Sequence, residues 1–229
     1  MKRIPVLYED DKLLVLNKPA GLPVQGGADV AVSLDSLLAE HYTPRPLLVH
    51  RLDRDTSGVI VTAKTKETAA VCSALFDYRR GWNSASNAGI KKTYLAVCAG
   101  ILNETGTIDE TLEIKGQKLP ASTKFRCLAS VKELDAAGLS LAEIQPATGR
   151  MHQIRRHLAQ AGHPILGDDK YGDFSLNKKL KKTLGLKRLL LHAYSINLPA
   201  FLSGIDLEIK APLPDHFLEI LERTGLKVE

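Results

Sequence analysis

The amino-acid sequence predicts a mixed α+β fold in which helices and loops flank a largely antiparallel central sheet. Strand-like stretches outnumber the helical ones, and the two kinds rarely alternate one for one, unlike in a doubly wound parallel sheet. The 229 residues also contain no internal repeat, low-complexity tract or Pro/Gly/Ser-rich linker. We therefore expect one domain over residues 1–229.

The first part of the chain predicts three strands. Two short apolar runs, residues 4–8 and 12–17, indicate strands joined at an acidic turn, and Pro and Gly then end the regular pairing. A run rich in β-branched residues predicts a buried strand over 58–64.

A helix and a surface loop are expected next. Residues 66–78 show helical spacing, which places Val71, Leu75 and Tyr78 on one stripe. The segment 79–90 is polar and rich in Gly, Ser and Asn, which is typical of a surface loop.

The second half predicts further strands. Residues 93–100 indicate a strand, and short strands alternate with Gly and Pro breaks over 101–147. Two more strands are expected at 188–199 and 206–214.

Two helices complete the prediction. In the segment 148–162, Ile154 and Leu158 share one helical face and Gly162 follows the helix as its C′ residue. The last helix follows the final strand, with Asp215 as its expected N-cap.

The composition is that of a globular protein in a reducing compartment. Apolar residues make up 44% and charged residues 25%, and neither a membrane-spanning run nor a signal peptide is evident. Three scattered cysteines without a CxxC pair indicate reduced thiols, so a cytoplasmic location is expected. The net charge of +5 favours a polyanionic partner but does not by itself identify one.

A charged stretch at residues 50–58 is the first candidate site. Asp53 lies between Arg51 and Arg54 where a loop enters a buried strand, and a carboxylate beside cations stays ionised, which suits a nucleophile or an electrostatic stabiliser. Surface ion pairs of little energetic value are the alternative. Asp53 and Asp55 also form a D-x-D pair that could bind magnesium, but the arginines already compensate the charge and no Gly-rich phosphate loop accompanies it.

The segment 148–158 is the second candidate. His152 and His157 are five residues apart, so on a helix they diverge by about 140° and cannot share a metal. Arg150, Arg155 and Arg156 instead place three guanidinium groups near a helix start. Recognition of phosphate or carboxylate and a solvated basic face are both open.

A third candidate is the run of six Lys and Arg residues between 178 and 188. Such a run is usually a solubilising helix face, but it could also steer a phosphate backbone.

Together these stretches resemble the RluA-type RNA pseudouridine synthase family. "HRLDRDTSG" at 50–58 resembles the H-R-L-D-x-x-T-S-G signature of that family, "KTYLA" at 92–96 its tyrosine strand, and "TGRMHQIRRHL" at 148–158 its T-G-R-x-H-Q-[IL]-R-x-H segment. "VLNKPAGLPV", "GHPILGDDKYG" and "RLLLHA" continue the resemblance in order over nearly the whole chain. The resemblance implies the pseudouridine synthase catalytic fold.

The resemblance implies that the protein isomerises a uridine of ribosomal or transfer RNA to pseudouridine. Asp53 corresponds to the catalytic aspartate that acts at ribose C1′, Tyr94 to the tyrosine beside the target base, and Arg155 to the arginine that pairs with the aspartate. The base must be flipped out of its stack to be reached. RNA-binding roles are implied for His50, Arg51, Arg54, Lys92, Arg150, His152 and His192.

The resemblance also sets expectations about partners and domains. No cofactor, metal or membrane is expected, and the protein is expected to act as a monomer. Many relatives carry an N-terminal S4 domain, which we do not expect here because the first strand begins close to Met1. The loop 79–90 is longer than usual for the family and is a hypothesis for a substrate-reading element. A non-catalytic RNA-binding protein and a metal-dependent phosphotransferase are the competing classes.

Overall fold

The computed structural model describes residues 3–27, 31–76, 90–132 and 138–227. The loop predicted at 79–90 lies outside the described residues except for Ile90, and so does Tyr78. The elements in chain order are β1 (Val6–Glu9), β2 (Leu13–Lys18), α1 (Leu34–His41), β3 (Leu47–Leu48), β4 (Ser57–Ala63), α2 (Lys66–Phe76), β5 (Lys91–Ala99), β6 (Thr105–Ile114), β7 (Gln117–Val131), β8 (Leu139–Pro146), α3 (Gln153–Gln160), α4 (Phe174–Thr183), β9 (Leu191–Leu198), α5 (Ala200–Ser203), β10 (Leu207–Lys210) and α6 (Asp215–Thr224).

The chain forms two compact units. The first comprises Met1–Lys92 with Ala193–Pro212, and the second comprises Thr93–His192 with Leu213–Glu229. The expectation of a single domain over 1–229 stays a prediction. No helix within the described ranges is long and apolar enough to cross a membrane.

The first unit is built on β4, all seven residues of which are buried. β2 pairs antiparallel with β4 from Leu13 opposite Ala63 to Lys18 opposite Gly58, and β1 extends the sheet beyond β2. β3 also pairs with β4, and β10 pairs antiparallel with β9. Because β4 lacks any exposed position, it gives the loop that precedes it a rigid support.

Helix α2 covers the core of this unit with a different face from the one predicted. Thr68, Cys72 and Phe76 are its buried residues, whereas Val71 is 44% exposed. Leu75 is only partly buried against the core. The helical spacing was recognisable in the sequence. It did not decide which face is buried, because Cys72 and Phe76 form an apolar stripe as good as the one that contains Val71.

The second unit contains an antiparallel sheet in the order β5, β8, β7, β6. β6 and β7 form a hairpin with ten residue pairs, from Thr105 opposite Arg126 to Ile114 opposite Gln117, and not the short strands predicted for 101–147. Two residues that usually break strands, Gly106 and Pro120, lie within the hairpin. Phe125 covers Gly106, where a Cβ would clash with the ring. Pro120 precedes the part of β7 that pairs with β8. A proline at such an edge removes no hydrogen bond on that side.

Helix α3 begins later than the sequence pattern indicated, whereas helix α6 begins one residue earlier than an N-cap at Asp215 would give. α3 starts at Gln153, and Gly162 follows its C-cap residue with a φ of 83°, which confirms the predicted C′ position. α6 has Pro214 as its N-cap, so Asp215 is the first helical residue and not the cap. Its carboxylate there still interacts favourably with the helix dipole. The predicted mixed, largely antiparallel α+β fold is confirmed.

Candidate active site

The aspartate loop, defined as residues 49–56, connects β3 to β4. Asp53 is half-buried in it, and its carbonyl oxygen accepts a hydrogen bond from the Thr56 N–H at 3.2 Å. Arg51 and Arg54 are exposed on either side. The chain enters β4 through Gly58, which has a φ of 110° and lies so close to the Ala193 carbonyl that a Cβ would clash with it. Only glycine fits this junction.

Lys18, which the sequence reasoning missed, holds the aspartate loop by a hydrogen bond to the Arg54 carbonyl. Its side chain is completely buried, and the ammonium nitrogen Nζ donates hydrogen bonds to the carbonyl oxygens of Pro19 at 3.1 Å, Leu22 at 2.8 Å and Arg54 at 2.9 Å. The Arg54 carbonyl also accepts the Gly21 N–H at 2.9 Å. The segment after β2 and the aspartate loop are thereby held in one arrangement.

Lys18 also affects the charge at the aspartate loop. Burial lowers the pKa of its ammonium group to about 7, although the negative charges of Asp55 and Asp53 act in the opposite direction. The signal in the sequence was a lysine that ends a largely apolar strand directly before a proline, because burial of such a residue requires hydrogen-bond acceptors.

His50 is held by the same sheet. Its Nε2 accepts the Val61 N–H at 2.9 Å, and its ring stacks on Phe76 with a centroid distance of 4.1 Å and an interplanar angle of 17°. Burial, and secondarily the positive charge of Lys92, lower the pKa of His50 to about 3. His50 is therefore a neutral imidazole that carries its proton on Nδ1. Burial also lowers the pKa of Lys92 to about 7.

In the second unit, Tyr94 lies on β5 opposite Ile144 of β8. Its side chain is half-buried and packs against the core cluster that includes Ala96, Ile144 and Ile154. The ring is thus anchored on a central strand, which restricts its position better than a loop would.

Arg155 is buried and forms a bidentate ion pair with Asp168. Its Nε and Nη2 each lie 2.7 Å from an oxygen of the Asp168 carboxylate, and Nη2 also contacts the exposed Asp169 at 3.3 Å. Burial would raise the pKa of Asp168, but the Arg155 guanidinium and the N–H groups of Tyr171 and Lys170 together hold it below its usual value. Asp168 was missed in the sequence, although it lies within the quoted "GHPILGDDKYG" segment.

Tyr171 organises the other side of this group. The guanidinium of Arg155 lies over its ring at 5.2 Å, and its hydroxyl group is 3.0 Å from Nδ1 of His152. His152 is the N-cap residue of α3 and has a left-handed backbone with a φ of 55° and a ψ of 28°. Such a conformation is uncommon for a non-glycine residue.

The guanidinium groups of Arg150, Arg155 and Arg156 each bind a different partner, and whether they recognise an anion stays a prediction. Arg155 binds Asp168, whereas Nε of Arg150 donates to the Pro120 carbonyl at 3.3 Å and Nη1 of Arg156 donates to the Glu113 carbonyl at 2.9 Å. The helix begins only at Gln153, so Arg150 precedes it.

His192 is completely buried and makes an edge contact with Phe217 at a centroid distance of 6.5 Å. A side chain without solvent exposure has no direct access to an RNA, so its position favours packing. The structure thus groups Lys18, His50 and the aspartate loop in the first unit, and Arg155, His152 and Asp168 around Tyr171 in the second.

The chain resembles known proteins over nearly its whole length. The family described as RNA pseudouridylate synthase matches residues 12–160. The ribosomal large subunit pseudouridine synthase C of Haemophilus ducreyi is 37% identical over 95% of this chain and 68% of its own length. The tRNA pseudouridine synthase C of the same organism is 35% identical over 83% of each chain.

A solved structure agrees with these similarities. The human RNA pseudouridylate synthase domain containing 4 superposes with a TM-score of 0.76 at 29% sequence identity, covering 98% of this chain and 94% of the human one. With the family match over most of the chain, this establishes that the protein belongs to the RNA pseudouridylate synthase family.

Proposed function

We propose that this RNA pseudouridylate synthase isomerises a specific uridine of ribosomal or transfer RNA, with Asp53 acting at ribose C1′. The observation that carries the proposal is the fixed aspartate loop: Lys18 and Gly21 bind the Arg54 carbonyl, and Asp53 remains half-buried at its entry into β4. Relatives named as ribosomal and transfer RNA synthases support the substrate class.

The reaction explains why a single carboxylate suffices. Glycoside hydrolysis commonly uses two acidic groups and a water molecule. Isomerisation instead breaks the N1–C1′ bond and forms a C5–C1′ bond, while C5 loses a proton and N1 gains one, so no water molecule is consumed. The reaction needs one ionised carboxylate and a site that retains the uracil and keeps water out. We assign the role of the ionised carboxylate to Asp53.

Tyr94 and Arg155 are proposed to assist Asp53. Tyr94 would lie beside the target base and assist proton transfer, and its anchoring on β5 suits a group that must keep a fixed position. Arg155 would balance the negative charge of the reacting carboxylate. Its bidentate bond to Asp168 fixes the guanidinium plane.

The RNA-facing roles are proposed for the side chains that solvent can reach. Arg51 and Arg54 are exposed beside Asp53 and suit contacts to the flipped nucleotide and its neighbours. Arg150 is partly exposed and also donates a hydrogen bond to the Pro120 carbonyl, so an RNA contact is proposed for it as well. For His50, His152 and Lys92 the proposal is that they position neighbouring groups, because the two histidines bind groups within the protein and Lys92 is only partly exposed.

Replacement of Asp53 by Asn tests the proposal. We expect pseudouridine formation to be lost, measured as tritium release from RNA labelled at uridine C5, while the Kd for RNA changes by less than about twofold because the substitution is isosteric. The control is Asp55→Asn, which makes the same change in the same loop and is expected to keep activity.

Three results would contradict the proposal. Full activity of Asp53→Asn would exclude the assigned mechanism, and an inactive wild type that still binds RNA would favour a non-catalytic binding protein. Loss of activity on addition of a metal chelator would favour the D-x-D phosphotransferase reading. Mapping pseudouridine in RNA from cells with and without the protein would then identify the modified uridine.

A further inference from the structure

Helix α4 carries a basic face that the active-site residues do not use. We define this basic face as Lys178, Lys179, Lys181 and Lys182, all of which are exposed. The buried residues of the helix are Leu176 and Leu180. At 3.6 residues per turn, the four lysines cover an arc of about 160° on the side opposite to the two leucines.

The basic face is not arranged to stabilise the helix. No acidic residue occurs from Phe174 to Arg188, so none of the lysines has an acidic neighbour at i±3 or i±4 within this segment. Among the described residues, Lys178, Lys181 and Lys182 form no ion pair. Interaction with the helix dipole favours lysines in the last turn but not Lys178, which lies in the middle.

The segment Phe174–Arg188, which contains helix α4, accounts for the basicity of the whole chain. The segment Phe174–Arg188 contains six Lys and Arg residues and no acid, which gives it a charge of +6. The complete chain has a net charge of +5, so the remaining residues together carry a net charge of −1. A polyanion is therefore attracted to this segment, and four of its six positive charges lie on the basic face of α4.

The basic face is rigidly attached to the group that holds Arg155. Asn177 accepts the Gly167 N–H at 2.9 Å through Oδ1 and donates to the Asp168 carbonyl at 3.0 Å through Nδ2. Asp173 caps the helix by accepting the Leu176 N–H at 2.9 Å. A ligand bound to the lysines would thus be held at a fixed position relative to Arg155.

We propose that the basic face of α4 binds the phosphate backbone of the substrate RNA at a site separate from the reacting nucleotide. This inference rests on the proposed function and adds a docking surface to it. A lipid surface fits less well, because Leu176 and Leu180 are buried in the protein and only Phe174 offers an exposed apolar side chain on this helix.

The test replaces the four lysines of the basic face by Gln. Binding is measured with unmodified transcripts of large-subunit ribosomal RNA and of tRNA over a range of salt concentrations. We expect the slope of log Kd against log salt to fall by about 2 to 4, because each phosphate contact contributes about one. At moderate salt the KM for RNA should rise about tenfold, while kcat at saturating RNA stays unchanged.

Two further variants control for charge and folding. Gln at Lys12, Lys66, Lys210 and Lys227, which are also exposed, removes the same net charge elsewhere and should change the slope by less than about 1. Arg at the four positions of the basic face should bind as the wild type does. Equal slopes for the two Gln variants would overturn the proposal.

The outcomes also separate this surface from the proposed function. If the wild type forms no pseudouridine but its RNA binding still depends on the four lysines, the docking surface stands and the enzymatic proposal fails. If the wild type is active and the lysine-to-Gln variant has an unchanged KM and slope, the docking surface is excluded. Binding to anionic phospholipid vesicles that the four substitutions abolish, with RNA binding unchanged, would also exclude it.

Discussion

The buried ion pair between Arg155 and Asp168 determines how the arginine can act. The carboxylate accepts two guanidinium hydrogen bonds and two backbone N–H groups, from Lys170 and Tyr171. This arrangement compensates the Asp168 carboxylate inside the protein. A buried pair of this kind adds little net stability by itself, but removal of one partner leaves an uncompensated charge.

Replacement of Asp168 by Asn should therefore destabilise the protein by about 3 to 5 kcal/mol. Asp169→Asn is the matched control, because the Asp169 side chain is 81% exposed although it contacts the same guanidinium. Its expected cost is below about 1 kcal/mol. Urea denaturation of both variants measures the difference, and equal costs would show that Asp168 has no special role in fixing Arg155.

Lys18 stabilises the aspartate loop, because its ammonium group donates hydrogen bonds to three backbone carbonyls. Its folded-state pKa of about 7 lies below the ordinary value of 10.5. Between these values the unfolded chain binds more protons than the folded protein, so the contribution of Lys18 to stability increases as the pH rises. At lower pH the folded protein carries the full penalty for burying a charge.

We expect the free energy of unfolding of the wild type, minus that of Lys18→Met, to increase by about 2 kcal/mol from pH 7 to pH 9. Denaturant unfolding at each pH measures it. Lys66→Met, at an exposed position on α2, should run parallel to the wild type over the same range. A difference that is constant or decreases with pH would contradict a buried, titrating Lys18.

At the level of secondary-structure elements, polar side chains attach the β6–β7 hairpin to helix α3. Gln153 donates to the Ser122 carbonyl at 2.8 Å and to the Thr123 hydroxyl at 3.0 Å, and that hydroxyl lies 2.9 Å from Nδ1 of His157. Nε2 of His157 donates to the Glu110 carbonyl at 3.3 Å. Burial is the main cause that keeps the pKa of His157 below its ordinary value, so the ring is neutral in this network.

Thr123→Val removes the central hydroxyl and leaves Gln153 and His157 each without one buried partner. We expect a loss of about 1 to 3 kcal/mol in unfolding free energy. Thr111→Val, at an exposed position on the same hairpin, should stay within about 0.5 kcal/mol of the wild type. If urea denaturation gave the two variants the same stability, this hydrogen-bond network would not stabilise the packing of the hairpin against α3.

On the scale of the whole molecule, charge is distributed unevenly. The positive net charge resides in the segment that contains α4, whereas the aspartate loop combines two arginines with two aspartates. In our two proposals, attraction of RNA and the chemistry on one nucleotide therefore depend on different residues. Long-range attraction depends on net charge, but the reaction depends on a few groups at fixed distances.

Much of the fold could be predicted because strand and helix periodicities are local. The strands at 58–64 and 93–100 and the helix that ends before Gly162 are confirmed, and the mixed antiparallel class follows from their order. The long β6–β7 hairpin was not predicted, because Gly106 and Pro120 break strands by their local preference. Only cross-strand packing and an edge position make them acceptable.

The sequence by itself determined the fold class, the order of the motifs and, through them, membership of the pseudouridylate synthase family. The tertiary structure alone decided that Arg155 binds Asp168, that Arg150 and Arg156 turn toward the hairpin, and that Lys18 holds the aspartate loop. The reason is physical: periodicity and motif order are properties of neighbouring residues, whereas the partner of a buried charge is set by distant segments that folding brings together.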